Sequence, residues 1–311
     1  MSKIQSTLLE KLPEYAYQPL DHADKIDAVY TYADLTDPAW HAQFREYMGK
    51  DPSPSRHQNH NEIEYSIKCL RMYCPFIGKI YIVTAGPAPP CVDPDDDQTI
   101  VIHQNEILGD ECLKPTFKST SVEAYLHRIP GLSECFMYLN DDYFIGNYVT
   151  WDMWFRDNLP IVDVYRTKWD FDSPDIEAFQ RGASSNGANN GDEEWRKNVH
   201  VAHLYHTNQC IRRRFNVLPN LVITHQAHLL RKSCMKEAWR MFNHELRECV
   251  GVSRTRSRDE VHMSLLSHFV GAITGGVLLR VGKQSPMRMM SVKLTDQERI
   301  DRCLETRPHL F

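Results

Sequence analysis

Within Glu134–Val149, ECFMYLNDDYFIGNYV, an apolar run from Phe136 to Leu139 stops abruptly at Asn140, Asp141 and Asp142. Two adjacent carboxylates repel each other, and burying them is costly without a cation or hydrogen-bond donors. A hard cation such as Mg²⁺ accepts one or two carboxylates and completes its shell with phosphate oxygens. The same dipeptide also suits a helix cap or a solvated turn. Histidines form a second group. His200, His203 and His206 recur at three-residue intervals in HVAHLYH, and His225 and His228 lie in THQAHLLRK. A neutral imidazole near a phosphate can act as a general base, and a protonated one can pair with it. A zinc site on the first three is conceivable, though no carboxylate or cysteine partner stands beside them. Capping or surface histidines would share the spacing of the second pair. A third group is Arg254, Arg256 and Arg258 in VSRTRSRDEVH. Guanidinium forks match phosphate oxygens, but here they can also pair with Asp259 and Glu260.

The flanking residues show what must position these groups. Ile26–Tyr32, Lys79–Gly86, Thr99–Asn105 and CFMYL (residues 135–139) are β-branched, aromatic and apolar, which predicts buried strands. Apolar residues at 63, 67, 70 and 74 have helical spacing, with Asn61 as the N-cap. Ser119–Ile129 reads as a helix stopped by Pro130-Gly131. Further helices are expected over 200–215, over 231–246 and from Arg256 to Ile273, the last followed by a strand. The Gly/Ser/Asn-rich segment Arg181–Trp195 reads as a mobile loop. Strands alternating with helices predict an α/β protein with a largely parallel sheet. Ligands bind such sheets beyond the carboxyl ends of the strands. Three polar tips follow expected strand ends: Asp34 and Asp37, His103–Asn105, and Asn140–Asp142. Parallel strands would bring them to one edge.

The chain has 311 residues, a formal net charge of −5, 42% hydrophobic and 25% charged residues. That is a globular composition, and the acidic balance argues against nucleic-acid binding. Nine cysteines without a C-x-x-C pair predict reduced thiols. The first residues are too charged for a secretory leader, and Met263–Leu279 is too interrupted by Ser, His and Gly to span a membrane. A cytoplasmic protein is expected, touching a membrane's inner face at most through residues 1–20. Its oligomeric state is not readable. No P-loop, G-x-G-x-x-G or G-x-S-x-G motif is present.

Taken in order, four segments resemble the Stealth family of sugar-1-phosphate transferases. They are Ile26–Pro38; Asn61–Gly146, with HRIPGLSECFMYLNDD; His206–Lys232; and Arg256–Phe269. The chain departs from the family pattern at Tyr32 (usually Trp), at Ala33-Asp34-Leu35 (usually Val-Asp/Asn-Gly), at Glu64 (Arg) and at Glu260 (Asp). The resemblance implies a glycosyltransferase-A-like, Rossmann-like sheet flanked by helices, with a helical C-terminal layer. Residues 1–24 read as a short amphipathic helix and a linker, and the resemblance implies one α/β catalytic domain over 25–311. Within that domain, 25–155 would bind the nucleotide sugar and 196–311 would complete the site.

The reaction implied moves hexose-1-phosphate from an NDP-sugar, most simply a UDP-sugar, to a glycan or polyol hydroxyl. It forms a phosphodiester and releases NMP, as in capsule or cell-surface polysaccharide synthesis. Mg²⁺ or Mn²⁺ would sit on Asp141 and Asp142, with Asp142, His225 and Arg256 catalytic. Substrate contacts are expected from Asp27, Asp34, Asn61, Glu62, Thr116, Ser119, His127, Arg128, Asn140, His228 and Glu260. Three alternatives are a glycosyltransferase releasing NDP, a non-catalytic sugar-nucleotide or glycan binder, and a zinc hydrolase on the HVAHLYH histidines.

Overall fold

The computed structural model describes residues 25–52, 59–167, 171, 192–223, 225–282 and 297–310. The helix expected before residue 25 lies outside them, as does the glycine-rich segment up to Gly191.

Four strands build the floor of the molecule: β1 (Ile26–Tyr32), β2 (Ile77–Thr84), β3 (Thr99–His103) and β4 (Cys135–Asn140). They pair in parallel in the order β3-β2-β1-β4. Six of the seven residues of β1 are buried, because a central parallel strand is covered on both faces. Helices connect the strands. α1 (Pro38–Met48) is started by Asp37, which accepts from the Ala39 N–H at 2.9 Å, and by a proline in its first turn. α2 (Glu62–Tyr73) lays Ile63, Ser66 and Leu70 on the sheet. α3 (Ser119–Glu123) is shorter than expected, because the chain leaves helical geometry and re-enters only as a 3-10 turn at Leu126–Arg128.

The chain fills β2 and β3 on one side of β1 and then crosses to place β4 on the other. The gap between the carboxyl ends of β1 and β4 is thus a topological switch point, where open α/β sheets form their ligand crevices.

The second half begins with α4 (Trp151–Trp154), β5 (Phe155–Arg156) and β6 (Leu159–Arg166). α5 (Asp192–Phe215) follows, so residues 192–195 of the expected loop are helical. After β7 (Leu221–Val222), β8 (His228–Arg231) runs antiparallel beside β4 and pairs His228 with Tyr138. One helix expected over 231–246 is two: α6 (Lys232–Met241) and α7 (Asn243–Gly251). Arg256 does not open a helix; α8 begins at Met263 and ends at Thr274, with Gly275 closing it at φ 79°. The chain ends in β9 (Leu278–Val281), which pairs with β6, and α9 (Gln297–Thr306). No helix of the described residues is long and apolar enough to cross a membrane. All nine cysteines are free thiols.

Candidate active site

One cleft opens at the switch point. It holds about 600 Å³ of empty space counted out to open solvent. One wall is β4 and the turn after it, with Tyr138, Asn140 and Tyr143. A second is α3, with Ser119 and Glu123. The C-terminal half supplies His200 and His203 from α5, His225 and His228 around β8, and Arg256 and His262 from the segment before α8.

His225 sits at the mouth. Its ring meets the Tyr143 ring edge-on at 4.7 Å. The Asn140 side chain is oriented by Tyr138, whose hydroxyl donates to Asn140 Oδ1 at 2.7 Å. That leaves the Asn140 amide nitrogen facing His225 Nε2 at 3.4 Å. An amide nitrogen only donates, so Nε2 carries the lone pair. Desolvation by the cleft walls lowers the His225 pKa; Asp142 pulls it up and Arg256 pulls it down. The net result is a neutral imidazole whose Nε2 lone pair accepts from the Asn140 amide, next to a carboxylate and a guanidinium.

Arg256 is anchored by donating to Ser119 Oγ at 2.9 Å. It also faces Glu123, whose buried carboxyl is raised in pKa by desolvation and lowered by Arg256 and by a hydrogen bond with Ser119. Ser119 and Glu123 are four residues apart on one helical face. That spacing was visible in the sequence, but Glu123 was hidden among the apolar residues of STSVEAYL. Tyr138, Tyr143 and His262 were also missed; they read as strand, turn and helix-start residues.

Asp141 and Asp142 lie just past β4, as expected. Asp141 is pushed up from 3.8 to about 7 by burial, by Asp142 and by Glu62. Asp34 lies at the end of β1 and also acts on Tyr32, as does Asp141. One of its oxygens accepts from Thr36 N at 2.9 Å, Thr36 Oγ1 at 2.6 Å and Asn59 Nδ2 at 3.3 Å. Among the described residues no group of three or more His, Cys, Asp or Glu is placed to hold a metal ion. Two adjacent carboxylates are the kind of donor that Mg²⁺ takes when substrate phosphate and water fill the rest of its shell. The three histidines of HVAHLYH do not form a zinc site: His203 is committed to Ser257 O at 2.6 Å, and His206 is outside the cleft lining.

Several expected contacts need correction. Asp27 is at the opposite, amino end of β1, where its carboxylate accepts from the backbone N–H groups of Lys79 at 2.9 Å and Ser133 at 2.8 Å. Those bonds tie β1 to β2 and to the segment entering β4, so Asp27 is structural. His127 is buried near Lys232 and Lys236, away from the cleft, and its pKa falls to about 4, chiefly by burial. Arg128 stacks 4.7 Å over Tyr125 and pairs with Glu111 at 3.7 Å. Thr116 is buried and does not line the cleft.

Asn61 stands at the α2 N-cap position in left-handed geometry, φ 58°, without a side-chain capping bond. Glu62 turns back to accept from His60 N at 2.9 Å. Glu260 is fully buried and saturated. It meets Lys118 Nζ at 3.0 Å, Thr120 Oγ1 at 2.6 Å and Ser257 N at 2.7 Å. It braces the Arg256 segment rather than facing a ligand. Arg254 likewise donates to Pro115 O at 2.8 Å and stacks on Tyr47. Ser119, Asn140, His225, His228 and Arg256 are the expected residues that do line the cleft.

Residues 56–162 match the model of Stealth protein CR2, conserved region 2. The chain belongs to the Stealth family. Among curated Stealth-like relatives, an exopolysaccharide phosphotransferase of Streptomyces coelicolor is 30% identical over 258 residues, covering 80% of this chain and 26% of that protein. The capsular polysaccharide phosphotransferase LcbA of Aeromonas hydrophila is 27% identical over 256 residues, covering 77% of this chain and 63% of that protein. This Stealth chain therefore spans less than two thirds of the relatives it matches. Among solved structures, galactosyltransferase LgtC with donor and acceptor sugar analogues overlaps at a TM-score of 0.38 and 11% identity, covering 89% of this chain and 82% of that one. That overlap is too loose to carry an argument about this Stealth protein.

Proposed function

We propose that this Stealth chain transfers a sugar-1-phosphate group from a nucleoside-diphosphate sugar, with a UDP-sugar as the first candidate, to an acceptor hydroxyl. The reaction forms a phosphodiester and releases the nucleoside monophosphate. The observation that supports the reading is that His225 and Arg256 line one cleft at the switch point of a parallel sheet, with Asp142 close enough to act on His225 electrostatically. The names of its relatives, exopolysaccharide and capsular polysaccharide phosphotransferases, support the reaction class.

Each group has a task that its surroundings suit. His225, neutral and with an Nε2 lone pair held in the free protein by the long 3.4 Å bond from Asn140, exchanges that donor for the acceptor hydroxyl and takes its proton as the oxygen attacks phosphorus; a positioned base contributes about 10²–10⁴-fold in rate. Asn140 holds that imidazole in its working orientation. Arg256, fixed by Ser119 and Glu123, meets the charge that spreads over the phosphoryl oxygens; such stabilisation dominates phosphoryl transfer. Asp141 and Asp142 would hold Mg²⁺ or Mn²⁺, which when bound neutralises diphosphate charge and supports the leaving nucleotide. Asp34 at the neighbouring strand tip is proposed to meet the nucleotide.

Purified protein incubated with Mg²⁺ and a panel of NDP-sugars tests the reading. Monophosphate release with a phosphodiester product is the expected result. Diphosphate release would mean sugar transfer instead, and tight binding with no consumption of any sugar nucleotide would mean a binding protein.

A further inference from the structure

The inner end of the cleft is chemically unlike its mouth. His225 and Arg256, with Asp142 beside them, carry or handle charge at the mouth. The buried part of the lining includes Val199, His203, Ile223 and His228, with Glu123 as its carboxyl group, and His200 and His262 are half-buried beside them. Arg256 is the one Arg or Lys in the described lining.

His228 is the informative residue. It sits on β8 opposite Tyr138 and is 7% exposed. Its Nδ1 is 2.8 Å from Gln226 O. A carbonyl oxygen only accepts, so Nδ1 carries the hydrogen. Burial and the neighbouring His268 pull the ring's pKa to about 3, so it is neutral. The tautomer is therefore fixed, and Nε2 presents a lone pair. That nitrogen is buried and has no protein hydrogen-bond partner. His262 adds a second such atom, Nδ1, in the same lining. An unpaired buried acceptor is unfavourable because it has lost its water and gained no donor, so a ligand group that donates to it recovers this penalty. A phosphate oxygen without a proton cannot donate and would meet a lone pair head-on. A sugar hydroxyl or an acetamido N–H can donate.

We propose that His228 Nε2 accepts a hydrogen bond from a hydroxyl or amide N–H of a substrate sugar, making this inner end the sugar subsite and His228 a specificity-determining residue. The proposal rests on the nucleotide-sugar reading of the cleft. The hydroxyl can come from the donor sugar or from the acceptor, and the test separates the two.

Calorimetric titrations with Mg²⁺ would use UDP-N-acetylglucosamine, UDP-glucose and UDP against wild type, His228→Phe and His228→Gln. Phe keeps a ring and removes the acceptor; Gln restores an acceptor near the Nε2 position. For a donor-sugar contact, Phe weakens the UDP-sugar about tenfold or more, leaves UDP unchanged, and Gln recovers most of the loss. One lost hydrogen bond of this kind corresponds to about that factor. A measurement on wild type guards against a misfolded variant. In long-range ¹H–¹⁵N spectra, the His228 Nε2 resonance moves as it accepts a hydrogen bond.

A shift on adding UDP-N-acetylglucosamine assigns the donor sugar. A shift only on adding methyl glucoside to the UDP complex assigns the acceptor. The proposal is overturned if neither probe moves the resonance, or if Phe weakens UDP as much as the UDP-sugars. Failure of wild type to bind any nucleotide sugar would instead remove the functional reading on which the proposal stands.

Discussion

Asp141→Asn tests whether the β4 tip is built around a missing positive charge. In the free protein the Asp141 carboxyl is raised from 3.8 to about 7, first by burial and then by Asp142 and Glu62. The folded chain thus holds that proton more tightly than the unfolded chain does. The stability this contributes is complete below the unfolded value of 3.8 and is lost as pH rises through about 7. Between pH 5 and pH 8 the loss is about 2.5 kcal/mol, at about 1.4 kcal/mol per pKa unit. Asparagine is uncharged throughout, and any hydrogen bonds it loses or gains are the same at both pH values. The difference in melting temperature between variant and wild type should therefore move in the variant's favour by about 4 °C from pH 5 to pH 8, for a chain of this size. Differential scanning calorimetry in chelator provides the readout. With Mg²⁺ and UDP present, wild type at pH 8 should recover most of the deficit. A variant whose melting temperature tracks wild type equally at both pH values would show that Asp141 ionises freely. The carboxylate repulsion argued for this tip would then be wrong.

Asp142→Asn should abolish transfer while the far-UV spectrum and melting temperature hold; full activity would remove it from the site. His225→Ala should lower kcat by about 10²–10⁴-fold with little change in donor affinity, and a loss confined to KM would make it a binding residue. Glu260→Gln leaves Lys118 buried without its partner. A loss of about 3–5 kcal/mol follows, read as a fall in melting temperature of roughly 5–8 °C; an unchanged melting temperature would contradict the bracing role. Burial holds His228 at about 3 and His268 at about 4. Their contribution to stability is full above the unfolded value of 6.5 and lost as pH falls toward those values. His268→Gln should therefore flatten the acid limb of the stability profile, and an unaltered limb would sink that assignment.

The sequence revealed the parallel sheet because its strands are apolar on both faces. β1, IDAVYTY, was legible to the residue. The polar tips were legible for the same reason, since an apolar run that stops at Asn140-Asp141-Asp142 marks a strand leaving the core. β8 was not legible. HLLR is four residues long; only its last residue, Arg231, had been placed, in the helix expected over 231–246, and three residues are too few to show an alternation. Asp27 was misplaced because a carboxylate at the start of a buried strand looks the same in sequence whether it faces a ligand or caps backbone N–H groups. The histidine-lined inner end could not be read at all. His200, His228 and His262 come from three separate elements, and only the packing of α5 against the segment before α8 brings them together.

That assembly explains why the groups of the cleft are split between the two halves of the chain. The strand edge can supply Asn140, Asp141 and Asp142, but a parallel sheet has no cation of its own to set against a diphosphate. Arg256 must come from elsewhere and stay in place although it lies on an irregular segment. Glu260 supplies the restraint. Its carboxylate is shared between Lys118 and Thr120, on either side of Ser119, and the Ser257 backbone, while Arg256 reaches Ser119 itself. One buried carboxylate thus locks the loop that carries the guanidinium to the helix that receives it. A buried ion pair adds little net stability over an apolar substitute, but it fixes geometry, and a transition state spread over phosphoryl oxygens is sensitive to the placement of charge. An aspartate at position 260 would be one methylene shorter. In this chain the longer Glu spans the distance to Lys118 and Thr120, so Glu260→Asp should slacken Arg256 and lower kcat more than it lowers the melting temperature.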